Sequence, residues 1–86
     1  MESFAVSVLS DSELEKISAI LWRWNPRLIA ILRQSTITPD QREDLRGALA
    51  EELVSRGLNH HDSEPNAYGL EIESLIDKIG HIPETT

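Results

Sequence analysis

Residues 38–58, TPDQREDLRGALAEELVSRGL, contain both ends of one helix and its buried face. Thr38 stands where an N-cap is wanted, Pro39 at the first helical position, Asp40 next and Gln41 third. This is a capping-box arrangement with a proline start. Asp40 also suits the positive end of the helix dipole. Leu45, Ala48, Leu49 and Leu53 recur at helical spacing and form one apolar face. Gly57 predicts the stop, with Leu58 placed to meet Leu53 in a Schellman motif. A helix over 39–56 with a single apolar side needs other helices to cover it, and the rest of the chain supplies them.

Towards the N-terminus, Asn25-Pro26 marks a boundary, because the residue before proline resists the α region. Asn25 is the expected cap of a short helix over 26–34, with Leu28, Ile31 and Leu32 as its core face. One long helix kinked at Pro26 is the alternative. Before it, Ser10 and Glu13 form a second capping box, with Leu9 and Leu14 at hydrophobic-staple positions. Leu14, Ile17, Leu21 and Trp24 follow on one face, with Ile20 at its flank, which predicts a helix over 10–24. Residues 1–9, where Phe4, Val6 and Val8 alternate with small residues, read as an extended arm laid on the core.

Towards the C-terminus, a polar loop runs from Asn59 to Glu64. Pro65 is expected to open a last helix over 65–79, with Tyr68, Ile72, Leu75, Ile76 and Ile79 facing in. Gly80 stops it, and residues 80–86 read as a frayed tail. Gly47 and Gly69 fall inside helical patterns, where each costs about 1 kcal/mol relative to alanine. Either close helix packing or mere tolerance accounts for them. The expected architecture is one all-α domain over 1–86: a compact antiparallel bundle of about four helices with short connections and an extended N-terminal arm.

Composition excludes several functions. There is no cysteine, hence no disulfide or thiolate chemistry, which fits a reducing cytoplasm. The start, MESFAVSVLSDSE, has neither the basic residues nor the apolar run of a signal peptide. The most apolar stretch, 17–32, is interrupted by Arg23, Asn25, Pro26 and Arg27, and a span needs about 20 apolar residues, so no membrane segment is expected. The net charge is −7, and all of it lies beyond residue 34. Nucleic-acid binders cluster Lys and Arg to neutralise phosphate, and no such cluster exists, so no nucleic-acid partner is expected.

No catalytic or cofactor-binding constellation stands out. His60-His61-Asp62 with Glu64 is the only cluster resembling metal ligands, but adjacent residues in an extended loop point apart and no second cluster completes a shell. Carboxylate pairs such as Glu51-Glu52 fall on helix faces rather than in a cleft that would separate their pKa values. The chain has no phosphate-binding glycine loop, nucleophile elbow or HExxH. It is read as non-enzymatic, with no cofactor and no metal.

What remains is a surface. At ~100° per residue, Asp40, Asp44 and Glu51 lie opposite the apolar face of the 39–56 helix. Arg42 and Arg46 lie towards one flank. Glu52 and Arg56, four apart and close to the apolar side, are expected to form a structural ion pair. On the last helix, Leu70, Glu73 and Asp77 share the outer side, so Leu70 is either an apolar anchor within a polar rim or packed under the preceding loop. Trp22 and Trp24 are two apart and cannot share a face; Trp24 is the core candidate. Trp22 either packs on the second helix or is exposed as an interface residue. The partner-binding set is therefore Asp40, Asp44, Glu51, Leu70, Glu73, Asp77 and Trp22.

The segment 51–80, EELVSRGLNHHDSEPNAYGLEIESLIDKIG, resembles a pattern of small bacterial helical proteins. Its parts are Glu52-Leu53, Arg56-Gly57-Leu58, Glu64-Pro65-Asn66, Tyr68-Gly69-Leu70 and Leu75-Ile76-Asp77. In size and charge the chain is similar to immunity proteins that accompany bacterial toxins, including those of contact-dependent growth inhibition. That class is structurally diverse and implies no particular fold. The resemblance implies an inhibitor: an acidic protein that neutralises a cognate basic toxin domain, such as a nuclease. The competing expectation is an interaction module that self-associates, as a homodimer, through its Trp-bearing N-terminal half.

Overall fold

The two capping boxes set the frame. In the computed structural model, which describes residues 8–59, 62 and 64–85, the Ser10 hydroxyl accepts from the Glu13 backbone N–H and the Glu13 carboxylate accepts from that of Ser10. Helix α1 runs from there over Asp11–Trp24. Thr38 and Gln41 repeat the exchange at the start of helix α2, Pro39–Arg56. Helix α3 spans Ala67–Ile79. Between α1 and α2 lies a 3₁₀ helix, η1, over Pro26–Arg33. The protein is all-α, and no helix among the described residues is long and apolar enough to cross a membrane. Residues 1–7 of the expected arm, with His60 and His61 of the polar loop, lie outside the described residues.

The break at Asn25 is complete, so there is no kinked long helix. Asn25 leaves the helical region (φ −159°, ψ 84°), and its N–H closes α1 on the Leu21 carbonyl at 2.7 Å. Its side chain caps nothing, contrary to expectation. The segment after it is 3₁₀ rather than α. At about 2.0 Å rise per residue, its eight residues carry the chain roughly 16 Å back along α1, which is about 21 Å long. Leu28 and Ile31, three apart, are stacked by the threefold repeat and are buried with Leu32.

Contacts between helices fix their directions. Arg42 donates to the Gly80 carbonyl near the start of α2, while Gly57 at its end lies against Gly69, so α2 and α3 are antiparallel. Lys78 pairs with Glu13, and Lys16 with Glu71, which sets α1 antiparallel to α3. Consequently α1 and α2 run the same way, with η1 as the return. The expected all-antiparallel arrangement is corrected here, because η1 restores the direction between them. Ile17, Leu21, Leu32, Ile37, Leu45, Leu49, Ile72 and Ile79 form the centre of one core.

Three local expectations are replaced. Gly57 has φ −98°, not the left-handed conformation of a Schellman cap. Its need for glycine is steric: a Cβ there would lie 2.9 Å from the Gly69 Cα, and a Cβ on Gly69 would lie 2.0 Å from the Gly57 carbonyl oxygen. Pro65 does not open α3; it pairs with Leu58 in an isolated bridge, and Asn66 caps the helix through its side chain at 2.8 Å from the Gly69 N–H. The tail is docked as far as residue 85. Ile82 is 2% exposed, Ile37 exchanges backbone bonds with Pro83 and Thr85, and the Arg42 guanidinium donates to the Gly80 and Ile82 carbonyls at 2.9 and 2.5 Å.

The glycines differ in a testable way. A Cβ on Gly47 meets nothing within 4 Å. Gly47→Ala should therefore raise stability by about 0.5–1 kcal/mol through helix propensity. Gly69→Ala should lower it by about 2–3 kcal/mol, since backbone must move. Chemical denaturation of the two variants followed by circular dichroism checks both signs; equal effects would contradict the close Gly57–Gly69 approach.

Candidate functional site

Glu52 is the one charged residue that is wholly buried (0% exposed) among the described residues. It sits on the core side of α2, one turn before the helix ends, and faces the end of α1 and the start of α3. Three donors converge on its carboxylate. Arg23 Nη1 lies 2.5 Å from Oε2, Tyr68 Oη 2.6 Å from Oε2, and Trp24 Nε1 2.7 Å from Oε1. Burial works against the charge, but the bonds from Arg23, Tyr68 and Trp24 outweigh it and hold the carboxyl below the ordinary glutamate range. Burial, reinforced by the bond to Glu52, pushes the Tyr68 hydroxyl up. The expected Glu52–Arg56 pair is thus corrected: the acid turns inward to Arg23. Trp24 and Tyr68, expected in the core, instead sit at its edge, half-exposed, with their polar atoms pointing in.

Beside this cluster the surface is concave. A groove of about 320 Å³ lies between the α1–η1 corner and the outer side of α2, lined by Trp24, Asn25, Leu28, Glu43, Asp44, Gly47, Ala48 and Glu51. Positions 43, 44, 47, 48 and 51 form one helical stripe, with Gly47 at its middle. The missing side chain at Gly47 leaves the space open, and Leu28 and Ala48 supply an apolar floor. Trp24 forms a wall, its ring held by the bond to Glu52. Three carboxylates stand around the groove, and no base lines it.

Of the sequence-derived set, Asp44 and Glu51 come together at this groove. Asp40 is exposed on the first turn of α2 but does not line it. Leu70, Glu73 and Asp77 are exposed on α3, with Leu70 at 59%, so Leu70 is not packed under a loop. Asp77 lies 3.7 Å from the His81 imidazole. Trp22 is 72% exposed and does not pack on η1. Arg23, which could have stood beside it at a surface, is directed to Glu52.

The charge pattern has a cause. Arg23 pairs with Glu52, Lys16 with Glu71, Lys78 with Glu13, Arg46 with Glu43 at 3.5 Å, and Arg42 with Glu84 at 3.7 Å. The Lys78 bond, with that from the Ser10 backbone, holds the Glu13 carboxyl below its usual range. Five of the eight bases are thereby engaged in ion pairs within the chain. Asp40, Asp44, Glu51 and Glu73 have no ionic partner among the described residues. No group of three metal-ligating side chains occurs among the described residues.

No family model matches the sequence, and no curated protein or solved structure is significantly similar to it.

The buried carboxylate gives ordered stability effects. Arg23→Met leaves Glu52 charged in the core with neutral donors only, and should lower stability at neutral pH by more than Glu52→Gln does. Glu52→Gln keeps an acceptor and releases a guanidinium that is already 41% exposed; about 1–3 kcal/mol is expected. The double variant should be more stable than Arg23→Met alone. Because the folded-state carboxyl titrates below its unfolded value of 4.5, its contribution is complete above that pH. It is lost as pH falls below 4.5 through the folded value. Denaturation midpoints from pH 7 to pH 3 check this, and Glu52→Gln should flatten the acid limb.

Proposed function

We propose that the protein is a non-enzymatic inhibitor that binds a basic protein partner through its acidic helical surface. In the form the sequence resemblance suggests, it is a bacterial immunity protein acting in the cytoplasm on a cognate toxin domain, such as a nuclease. One observation carries this reading: ion pairs within the chain engage five of the eight bases, while Asp40, Asp44, Glu51 and Glu73 stay exposed on two helices with no ion-pair partner among the described residues. Such carboxylates can pair with the Lys and Arg that a nuclease uses to hold phosphate, and they accelerate encounter by electrostatic steering. Leu70, exposed on the same side of α3 as Glu73 and Asp77, supplies an apolar anchor within that rim.

The reading is tested with the toxin domain encoded beside the gene, if one is present there, or with the basic protein that the chain captures from its source cell. Its association rate, followed by stopped flow, should fall roughly tenfold or more between low salt and 0.5 M salt. Replacing Asp44, Glu51, Glu73 and Asp77 by their amides should slow association at low salt and flatten the salt dependence. A rate insensitive to salt counts against the proposal.

The exposure of Trp22 favours a second reading, self-association through the N-terminal half. An indole this exposed on a helix is a natural contact residue. Sedimentation equilibrium should then show a mass that rises with concentration, and Trp22→Ala should abolish the rise. A monomer throughout would dispose of this reading and leave the first untouched.

A further inference from the structure

We propose that the groove between the α1–η1 corner and α2 is a docking site for an arginine side chain carried by the basic partner. This rests on the reading of the protein as a binder of basic proteins and names the element of the partner that this face receives. Shape and charge act together at this groove. About 320 Å³ of open concave space is at the small end of ligand pockets and suits one long side chain rather than a folded element. Its walls are unlike each other. Trp24, Leu28 and Ala48 offer apolar surface to the methylene stem and an aromatic ring to a flat cation. Glu43, Asp44 and Glu51 offer carboxylates to its donors. Of these three, Glu43 is shared with Arg46; Asp44 and Glu51 have no ion-pair partner among the described residues.

A guanidinium meets these walls better than an ammonium. It is planar, so it can lie along an indole while its edge donates to carboxylates, and it is more weakly hydrated. The position of the indole is fixed in advance, since its N–H is bonded to Glu52 at 2.7 Å. Gly47 gives access: any side chain there would project into the space that the guanidinium takes, and nothing else within 4 Å fills it.

The test uses the full chain, ¹⁵N-labelled, titrated with acetyl-Gly-Arg-Gly-amide. Two controls carry citrulline, which keeps the shape and loses the charge, or lysine in place of arginine. The arginine peptide should give saturable shifts at the Gly47 amide and the Trp24 indole N–H. Binding of the citrulline peptide should be at least tenfold weaker. Asp44→Asn with Glu51→Gln should weaken the arginine peptide at least tenfold. Gly47→Leu should abolish its shifts while leaving the circular dichroism spectrum and melting cooperativity intact.

Equal responses to arginine and citrulline, or shifts spread evenly over the acids of α2 and α3, overturn the site. An equal response to lysine overturns the assignment to arginine. Shifts of Gly47 and Trp24 on raising protein concentration without peptide assign the groove to a second copy and overturn a foreign occupant. Failure here is separable from failure of the function: a partner whose binding is salt-dependent but unchanged by Gly47→Leu refutes the groove alone. A peptide that binds as described, beside a partner whose association ignores salt, refutes the inhibitor reading alone.

Discussion

A carboxylate with no exposure to water, held by an arginine, a tyrosine and a tryptophan from two other helices, is the constraint on which the arrangement of this domain depends. An ion in a core is costly unless its hydrogen bonds are made and a counter-charge is present. Glu52 meets both conditions only if the end of α1 and the start of α3 stand at one place along α2. Apolar contacts tolerate small slides along a helix; three charge-assisted bonds at 2.5–2.7 Å do not. The carboxylate therefore acts as a register mark among three helices, and the Gly57–Gly69 approach one turn further on locks the same end of the bundle. The opposite end is held by different means, with Arg42 gripping the carbonyls after α3 and the Ile37–Glu84 bridge closing over Ile82.

This internal use of charge shapes the surface. A protein with a net charge of −7 would be expected to scatter its few bases outside, where they relieve repulsion between acids. Here Arg23 is drawn to a buried acid, Arg42 to backbone carbonyls, and Lys16 and Lys78 to the α1–α3 seam. Each ties the fold together; on α2 itself Arg46 offsets Glu43 at 3.5 Å, while Asp44 and Glu51 have no ion-pair partner among the described residues. The negative potential of the stripe therefore rests on Asp44 and Glu51. Salt screens this outer stripe, because surface charges lose their influence beyond about 8–10 Å at ordinary ionic strength.

Local signals were legible in the sequence, and non-local ones were not. Ser10-Glu13 and Thr38-Gln41 are complete within four residues, so both caps and the apolar faces of Leu14–Leu21 and Leu45–Leu49 could be read directly. Asn25-Pro26 revealed the break but not the helix type, because 3₁₀ and α share the same proline and the same apolar spacing over two turns. Glu52 lay on the apolar side of its helical wheel, which is a cue. A local partner, Arg56, satisfied it on paper, whereas its true partners are 16 to 29 residues away. The tail is illegible for a similar reason: a lone Ile82 between Gly80 and Pro83 has no periodicity, and Arg42 and Ile37, about forty residues away, are what hold it. Asp44 and Glu51 are legible from the helical wheel, but the groove they share depends on Gly47 and the corner at Trp24.

Trp24 joins the two halves of this picture. Phenylalanine at that position would fill the same edge of the core but could not donate to Glu52. The indole can, and a ring anchored by its N–H has less freedom to give up when something lies against it. The ring is thus both a structural donor and one side of the acidic groove. Any ligand that bears on it bears on the bond to the carboxylate setting the register of α1, α2 and α3. If the groove takes an arginine as proposed, recognition and folding are coupled through a single side chain: its occupation would stabilise the Trp24–Glu52 bond, and loss of Glu52 would loosen the wall of the groove. A surface organised in this way is pre-formed before a partner arrives, and pre-formation lowers the ordering cost of association. It also shows how so small a domain can fix the helices that bear its acids without disulfides, since their mutual positions are set from within.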